Sequence, residues 1–177
     1  MALAAPVALA PHHDCSIFDC GQAELADWLR RHAQSNEVAL GSRCFVVCEG
    51  RRVVGFYALA AGSVQREHAH GAVRRNMPDP IPAIVLGRLA VDSAWQGQGL
   101  GADLLHDAVL RALRASREIG ARVLLCHAID ERARLFYLHH GFVEYTFDPL
   151  TVMLDLRKAE PALKRLKCAP RSGDGKR

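Results

Sequence analysis

A glycine-rich segment between a predicted strand and a predicted helix constrains this chain more than any other feature. The segment reads Gln96-Gly97-Gln98-Gly99-Leu100-Gly101. The apolar run over 84–91 precedes it and is rich in β-forming residues, and apolar residues recur at helical spacing from Leu100 to Leu113. A glycine-rich turn that opens a helix directs several backbone N–H groups at one point, where the helix dipole adds positive potential. The segment therefore predicts an anion site suited to a phosphate or pyrophosphate, which a side chain at the glycines would keep at a distance.

Two families use such a turn. The spacing Gly97-x-Gly99-x-x-Ala102 formally satisfies the dinucleotide-binding fingerprint. That fold places its glycines directly at the strand end and an acidic residue about 20 positions later. Here residues 92–95 intervene, no suitable acidic residue follows, and only about half of such a domain could fit in the remaining chain. The sequence pattern Gln-x-x-Gly-x-Gly, which follows a strand ending in Leu-Ala-Val, instead resembles the acyl-CoA pyrophosphate loop of the GNAT N-acetyltransferases. A generic glycine-rich turn is the remaining alternative.

The GNAT resemblance implies a fold and a cofactor site. The fold is α/β, in the mixed α+β sense, with a mixed and mostly antiparallel central sheet and helices on both faces. The co-substrate is acetyl-CoA, and no metal is required. The backbone of Leu89, Ala90 and Val91 would pair with the pantetheine arm, and one N–H there would polarise the thioester carbonyl. The loop residues Gln96, Gly97, Gln98, Gly99, Leu100 and Gly101 would hold the pyrophosphate.

A second motif lies about 40 residues downstream and runs from Arg134 to Phe142. It resembles the GNAT helix that carries a tyrosine near the sulfur of CoA and ends in Gly-Phe. Tyr137 would give a proton to the departing thiolate, and Phe136 would line the cofactor site. The alternative is that both aromatic residues simply pack this helix on the sheet. The acceptor amine would attack directly, without an acyl-enzyme.

The sequence offers no strong general base. Five titratable residues lie near the second motif, and each is interpreted as a solvated or packing residue. An α-amine with a pKa near 8 needs little assistance. The five are Glu131, Asp130, His127, His139 and His140.

Composition indicates one domain with short extensions. The chain has 177 residues, half of them hydrophobic, which suffices for a sizeable core. We expect a loose lead-in over 1–13, the acetyltransferase domain over 14–156 and a disordered basic tail over 157–177, which holds eight basic and two acidic residues. No apolar run is long enough to span a membrane. The six cysteines show no zinc-site spacing, which predicts reduced thiols and a cytoplasmic location.

The local patterns predict an alternation of strands and helices. Strands are predicted over 43–49, 53–61, 84–91, 122–127 and 151–156. Helices are predicted over 22–33, 99–118 and 131–140, with Gly120 and Gly141 at two helix ends. The polar, proline-containing segment 62–82 is predicted to be a loop with at most a short helix.

Four further stretches sharpen the resemblance to one subfamily, the GNAT toxins of bacterial type II toxin–antitoxin modules. The resemblance covers residues 14–156, and the proline-rich stretch is its most specific part. The stretches are Phe18–Gly21, Tyr57–Gly62, Arg74–Pro82 and Leu86–Asp92. The resemblance to these toxins implies acetylation of the amino group of aminoacyl-tRNA, which blocks translation. It also implies a ribbon-helix-helix antitoxin, contact with operator DNA only through that antitoxin, and a homodimer.

If the acceptor is carried on tRNA, the protein needs phosphate contacts, which arginine provides well. The candidates are Arg74, Arg75 and Arg88, although a basic loop can also be merely solvated. Within the same enzyme class, the alternative is an N-acetyltransferase that acts on a small amine or a protein amine. Outside it, the alternative is a non-catalytic acyl-CoA-binding corepressor.

Overall fold

The computed structural model describes residues 3–167, which form a seven-stranded mixed sheet with helices. The strands are β1 Val7–Ala8, β2 Arg43–Glu49, β3 Arg52–Val64, β4 Ile81–Val91, β5 Val123–His127, β6 Val143–Glu144 and β7 Thr151–Asp155. The order of the strands in the sheet is β1-β2-β3-β4-β5-β7-β6. The predicted fold class is confirmed. The α-helices are α1 Ala23–Arg31, α2 Ala33–Val38, α3 Gly71–Arg74, α4 Leu100–Ile119, α5 Glu131–His139 and α6 Ala159–Lys167.

The chain divides into two compact units. Among the described residues, the first comprises 3–59 together with 88–107, and the second comprises 60–87 together with 108–167. β3, β4 and α4 each contribute to both units.

The first unit is built on the antiparallel hairpin of β2 and β3. The register runs from Arg43↔Leu59 to Glu49↔Arg52, with an irregularity next to Val47. Its core is aromatic at the centre, where the ring of Phe56 lies 5.5 Å from Phe18 and 6.0 Å from Trp28. A Cβ at Gly55 would approach Leu104 to 3.0 Å, so this glycine allows the first turns of α4 to pack closely on β3.

The lead-in is more ordered than the sequence predicted. Val7 and Ala8 form β1, which pairs antiparallel with Val46 and Phe45 of β2. The amide of Leu9 also donates to the carbonyl of Cys44 at 2.8 Å, and Leu9 is buried. The expectation of a loose segment over 1–13 is therefore wrong for these residues. These residues are ordered because their backbone pairs with β2. Such pairing needs no strong side-chain pattern, so the sequence did not indicate it.

The second unit contains the parallel part of the sheet. β4 pairs parallel with β5 from Ala83↔Val123 to Leu86↔Cys126, and β5 pairs antiparallel with β7. Its core includes Ile81, Val123 and Met153, all with no measurable exposure. Gly120 ends α4 with φ of +75°, as predicted.

A buried ion pair fixes α3 in the second unit. The guanidinium of Arg122 donates to Asp155 at 3.0 Å and to the carbonyl of Ala72 at 2.9 Å. Arg122 is buried, and both its partners lie within the same unit. The ion pair thus ties the short helix that precedes Arg75 to the end of β7.

The basic segment after β7 is helical where the structure describes it. Ala159, Ala162 and Leu166 are buried on one face of α6, and Ala162 lies 3.2 Å from the position of a Cβ at Gly141. The expected disordered tail over 157–177 is therefore wrong for 157–167, and residues 168–177 lie outside the described range. The many charged residues of the segment favoured a prediction of disorder, although its apolar residues recur at helical spacing. Among the described residues, none of the helices has the length and apolarity needed to cross a membrane.

Candidate active site

The glycine-rich loop over 96–101, which we call the anion loop, has the geometry expected of an anion site. The carbonyl of Gly99 accepts the amides of Ala102 and Asp103 at 3.0 and 3.1 Å, so α4 begins immediately after it. At this start, the N–H groups of Gly99, Leu100 and Gly101 have no carbonyl one turn earlier to receive them. Their common direction and the helix dipole favour an anion such as a phosphate.

The conformation of the loop explains its glycines. Gly97 and Gly99 have φ of +72° and +85°, where residues with a side chain are strained. A Cβ at either position would meet no atom within 4 Å. The backbone angle, rather than crowding within the protein, therefore demands glycine here, and the space above the loop is open to a ligand.

The two glutamines of the loop have different roles. The side-chain amide of Gln96 donates to the carbonyls of Val91 and Cys20 at 2.9 and 3.0 Å. The amide of Gln98 makes one bond, to the carbonyl of Ala94 at 3.1 Å, and is exposed. The Gln96 side chain therefore anchors the loop to the end of β4, which leaves its backbone as the part that faces a ligand.

A buried carboxylate that was not predicted from the sequence supports the same loop. Asp92 is 3% exposed and accepts the amides of Ala94 and Asp19 at 3.1 and 3.3 Å. The guanidinium of Arg52 lies 3.3 Å from both of its oxygens. An acidic residue directly after a strand and before a short helical turn is a capping signal, and it could have indicated this role.

The strand before the loop continues beyond its pairing with β5. The parallel register ends at Leu86↔Cys126, and β4 extends to Val91. Ala90 and Val91 are buried and Leu89 is partly exposed. These three residues lie in the first unit, and residues 92–95 separate them from the anion loop.

Arg88 lies in the first unit against an aromatic ring. Its guanidinium carbon is 4.3 Å from the centre of the Trp28 ring, a cation–π arrangement. Partial burial lowers the pKa of Arg88, and the charge of Glu24 opposes this shift. The described residues place no carboxylate within 4 Å of this guanidinium, so it is held by stacking and keeps its donors for a ligand.

Tyr137 lies in the second unit, on α5, and is 6% exposed. Its ring contacts Phe136 and Phe142, at centre-to-centre distances of 5.3 and 5.4 Å. Burial, together with the neighbouring Cys126, raises the pKa of Tyr137 well above its ordinary value. The phenol is therefore neutral at physiological pH, with its hydroxyl directed at the Cys126 thiol on β5.

The described cysteines are unsuited to nucleophilic catalysis. Burial raises the pKa of the Cys44 and Cys126 thiols to about 12 and that of Cys15 to about 11. Burial also raises the pKa of Cys20 and Cys48. Because the thiolate is the reactive form, none of these five is activated. Within residues 3–167, no three His, Cys, Asp or Glu side chains are grouped so that they could hold a metal ion.

Arg74 and Arg75 are both exposed, but they line different cavities of the second unit. Arg74 and Arg66 share a cavity of about 370 Å³ with Glu67 and Asp79, so two carboxylates offset the two guanidinium charges there. Arg75 lines a cavity of about 790 Å³, which we call the basic cleft. Its other lining residues are Gly71, Ala72, Asn76, Met77, Pro82, Ser116, Gly120, Ala121, Arg122, Asp155, Arg157 and Lys158.

The charge of the basic cleft is unbalanced. Its carboxylate, Asp155, is paired with the buried Arg122. Arg75, Arg157 and Lys158 have no carboxylate within 4 Å among the described residues, so three cations face the cleft unpaired. The basic composition of 157–177 predicted that Arg157 and Lys158 belong to a disordered tail. The apolar residues that recur at helical spacing over 159–166 were the signal that could have predicted an ordered segment, and hence the position of Arg157 and Lys158 at the cleft.

Comparison with known proteins assigns the architecture to a family. The acetyltransferase (GNAT) domain model matches residues 41–144, a span that includes the anion loop and Tyr137. The chain belongs to the GNAT acetyltransferase family.

Related proteins narrow the comparison within the GNAT family. The chain is 50% identical over 155 residues to a tRNA-acetylating toxin of Mycobacterium tuberculosis, covering 88% of this chain and 93% of that protein. It is similar to the structure of AtaT complexed with acetyl-methionyl-tRNAfMet, with a TM-score of 0.83, 27% identity and coverage of 88% and 96%. It is also similar to a tyrosine-to-phenylalanine mutant of AtaT bound to acetyl-CoA and the C-terminus of the antitoxin AtaR, with a TM-score of 0.77, 28% identity and coverage of 90% and 97%.

Proposed function

We propose that this GNAT protein is the toxin of a toxin–antitoxin module. It transfers acetyl from acetyl-CoA to the α-amino group of aminoacyl-tRNA and thereby blocks translation. The observation that carries this proposal is the 50% identity to a tRNA-acetylating toxin over 88% of the chain. The likeness to AtaT in complex with an acetylated aminoacyl-tRNA supports the same acceptor.

The residues of the first unit suit acetyl-CoA. Gln96, Gly97, Gln98, Gly99, Leu100 and Gly101 would hold its pyrophosphate through backbone N–H groups. The backbone of Leu89, Ala90 and Val91 would pair with the pantetheine arm, and an N–H there would stabilise negative charge on the thioester oxygen. Acetyl-CoA supplies an acyl group that is already activated as a thioester. The protein's contribution is therefore to position it and to handle protons.

Tyr137 is the proposed acid of the second unit, and Phe136 beside it would line the pantetheine site. Because burial raises the pKa of Tyr137, the phenol is a weak acid in the resting protein. The leaving thiolate supplies the driving force, since a negative sulfur in a desolvated site accepts a hydrogen bond and then the proton. The neighbouring Cys126 stays a thiol, so the acetyl group passes directly from CoA to the amine.

The tRNA is proposed to contact Arg74, Arg75 and Arg88, with Arg157 and Lys158 as further contacts in the basic cleft. Arginine presents donors in a planar fork that matches phosphate, and unpaired cations gain most from such a contact. Arg75 is the stronger candidate of the adjacent pair, because Glu67 and Asp79 line the cavity of Arg74. Arg88, stacked on Trp28, is poised for one phosphate contact from the first unit.

The remaining partners follow from the same assignment. An antitoxin of the ribbon-helix-helix class would neutralise the toxin and would provide its contact with operator DNA, and the active form would be a homodimer in the cytoplasm. The likeness to AtaT bound to the C-terminus of its antitoxin supports a peptide-like antitoxin segment as the neutralising element.

The proposal is tested by transfer of labelled acetyl from acetyl-CoA to purified charged tRNA. We expect label on charged tRNA and none on uncharged tRNA or free amino acids, and the labelled species identify the target. Label on free amino acids, small amines or protein lysines would instead support a different N-acetyltransferase. Binding of acetyl-CoA without transfer to any acceptor would support a non-catalytic role.

Replacement of Tyr137 by phenylalanine removes the proposed acid and keeps the ring packing against Phe136 and Phe142. We expect kcat for charged tRNA to fall by about 10²–10⁴-fold, the usual contribution of a positioned acid or base. The affinity for acetyl-CoA and the unfolding midpoint should change little. A Tyr137→Phe protein that transfers acetyl at the wild-type rate would show that the tyrosine only packs.

The two glutamines of the loop form a matched pair. Gln96→Ala removes two hydrogen bonds that anchor the loop, and we expect its Kd for acetyl-CoA to rise about tenfold, which corresponds to about 1.4 kcal/mol. Gln98→Ala removes one exposed bond and should raise Kd less than about threefold. Titration calorimetry with acetyl-CoA makes the comparison, and equal effects of the two variants would contradict the anchoring role of Gln96.

Charge reversal distinguishes the basic residues by their surroundings. We expect Arg75→Glu and Arg157→Glu each to weaken tRNA binding about tenfold at low salt and to reduce the salt dependence by about one phosphate contact. Arg74→Glu should have a smaller effect, because carboxylates already line its cavity. Arg114→Glu makes the same charge change on the exposed face of α4, away from the cleft, and serves as the control. If Arg114→Glu weakens binding as much as Arg75→Glu does, only net charge matters.

A further inference from the structure

Three side chains form a hydrogen-bonded series in the second unit. They come from the last residue of β5, the first residue of β7 and the segment before β7. The Nδ1 atom of His127 lies 2.8 Å from the Oγ1 atom of Thr151, its partner in the register with β7. The same Oγ1 atom lies 2.6 Å from the Oδ2 atom of Asp148. Thr151 is 1% exposed, whereas His127 is exposed. The series therefore runs from a carboxylate through a buried hydroxyl to an accessible imidazole.

The hydrogen bonds determine which imidazole nitrogen carries the proton. The bonds from Thr151 and from the amide of Leu150 lower the pKa of Asp148, so its carboxylate is ionised and can only accept. The single hydroxyl proton of Thr151 must then point at Asp148. The Oγ1 atom is left to accept from His127, whose neutral ring consequently carries its proton on Nδ1. The Nε2 atom thus has a free lone pair.

The position of His127 relates it to the proposed acid. Leu86↔Cys126 is the last pair of the parallel register between β4 and β5, and His127 is the next residue of β5. Cys126 contacts the hydroxyl of Tyr137. Because successive side chains of a strand point to opposite faces, His127 faces away from the side on which Tyr137 lies. An acid and a base therefore flank the end of this register from its two faces.

We propose that His127 is the general base of the acetyl transfer and takes a proton from the acceptor ammonium through Nε2. Thr151 and Asp148 are positioning residues that fix the ring and its tautomer. This inference rests on the proposed function, because it assigns a further residue to the same reaction.

The protons balance over the reaction. The ammonium of the acceptor gives one proton to His127, and the free amine attacks the carbonyl carbon of the thioester. As the C–N bond forms and the C–S bond breaks, the sulfur keeps the bonding electron pair and receives the proton of Tyr137. The new amide nitrogen loses its surplus proton to water. His127 then releases its proton and Tyr137 regains one, so that one proton is released in each turnover.

Several titratable groups lie on the elements next to this series. Asp148 and Tyr145 belong to the segment before β7, and His68 lies 2.9 Å from the Tyr145 hydroxyl. Burial, with the charges of Asp148 and Glu67, raises the pKa of Tyr145. On the side of α5, the carboxylate of Asp130 accepts the amide of Ala133 and caps the helix. Asp148 is the member of this group that bonds to Thr151.

The experiment compares His127→Asn with His139→Asn in single-turnover acetylation of charged tRNA at saturating acetyl-CoA. Asparagine can keep the bond to Thr151 but provides no base, and His139 is an exposed histidine on α5 outside the series. We expect the His127→Asn rate constant to fall about 10–100-fold at pH 6.5. The deficit should narrow above pH 8, where the α-amine loses its proton unaided. His139→Asn should match the wild type throughout, and KM for tRNA should change little in both variants.

The outcomes separate this inference from the proposed function. If the wild type acetylates charged tRNA and His127→Asn matches it at every pH, or shows a deficit that does not depend on pH, His127 is not the base. If the wild type acetylates no charged tRNA, the proposed function is wrong and the assignment of His127 to this reaction falls with it. Nitrogen NMR tests the geometry without any turnover: we expect the Nδ1–H tautomer in the wild type and its loss in Thr151→Val. An Nε2–H tautomer in the wild type would overturn the inference.

Discussion

The end of the parallel pairing between β4 and β5 is the constraint on which the candidate chemistry depends. Up to Leu86↔Cys126 the two strands satisfy each other's backbone groups, and β4 then continues to Val91 beyond that register. A strand that outlasts its partner's register needs other acceptors and donors for its backbone. An extended, amide-containing chain could supply them, which is the role proposed for the pantetheine arm of acetyl-CoA.

Burial selects the chemistry that this site can perform. The desolvation that raises the pKa of Cys126 to about 12 also raises that of the adjacent Tyr137. Because burial keeps Cys126 in the thiol form, a covalent acyl intermediate on that cysteine is disfavoured. Burial also keeps the Tyr137 phenol protonated, so it remains a hydrogen-bond donor. The same low-polarity surroundings would strengthen the hydrogen bond from the phenol to a departing thiolate. A protein with this arrangement is thus equipped to stabilise a leaving group more than to form an acyl-enzyme.

The sequence predicted the elements that have strong local signals. The strand at 43–49 and the end of α4 at Gly120 were correct, because alternating β-formers and a glycine with positive φ are local properties. The order of the Val7–Ala8 strand was missed, since it comes from pairing with Val46 and Phe45 far along the chain. The helix at 159–167 was missed because the basic composition of the segment predicts disorder, whereas the apolar residues that recur at helical spacing are few.

The candidate site was predictable to the same extent. The anion loop follows from its glycines, and Tyr137 follows from its family motif. The anchoring bonds of Gln96, the support of Asp92 and the series through Thr151 depend on contacts between residues distant in sequence. His127 could therefore be noticed as a histidine near the motif, but its tautomer required the positions of Thr151 and Asp148.

The two units also differ in how their functions depend on individual side chains. In the first unit the proposed contacts with acetyl-CoA are backbone N–H groups, which substitution of a side chain does not delete. The residues that matter there are those that shape the backbone, namely Gly97 and Gly99 with their positive φ and the anchors Gln96 and Asp92. In the second unit the proposed proton transfers depend on single atoms, the hydroxyl of Tyr137 and the Nε2 of His127. Binding of acetyl-CoA should therefore weaken gradually as loop anchors are removed. Turnover should fall steeply when the Tyr137 hydroxyl is lost and, below about pH 8, when the Nε2 of His127 is lost.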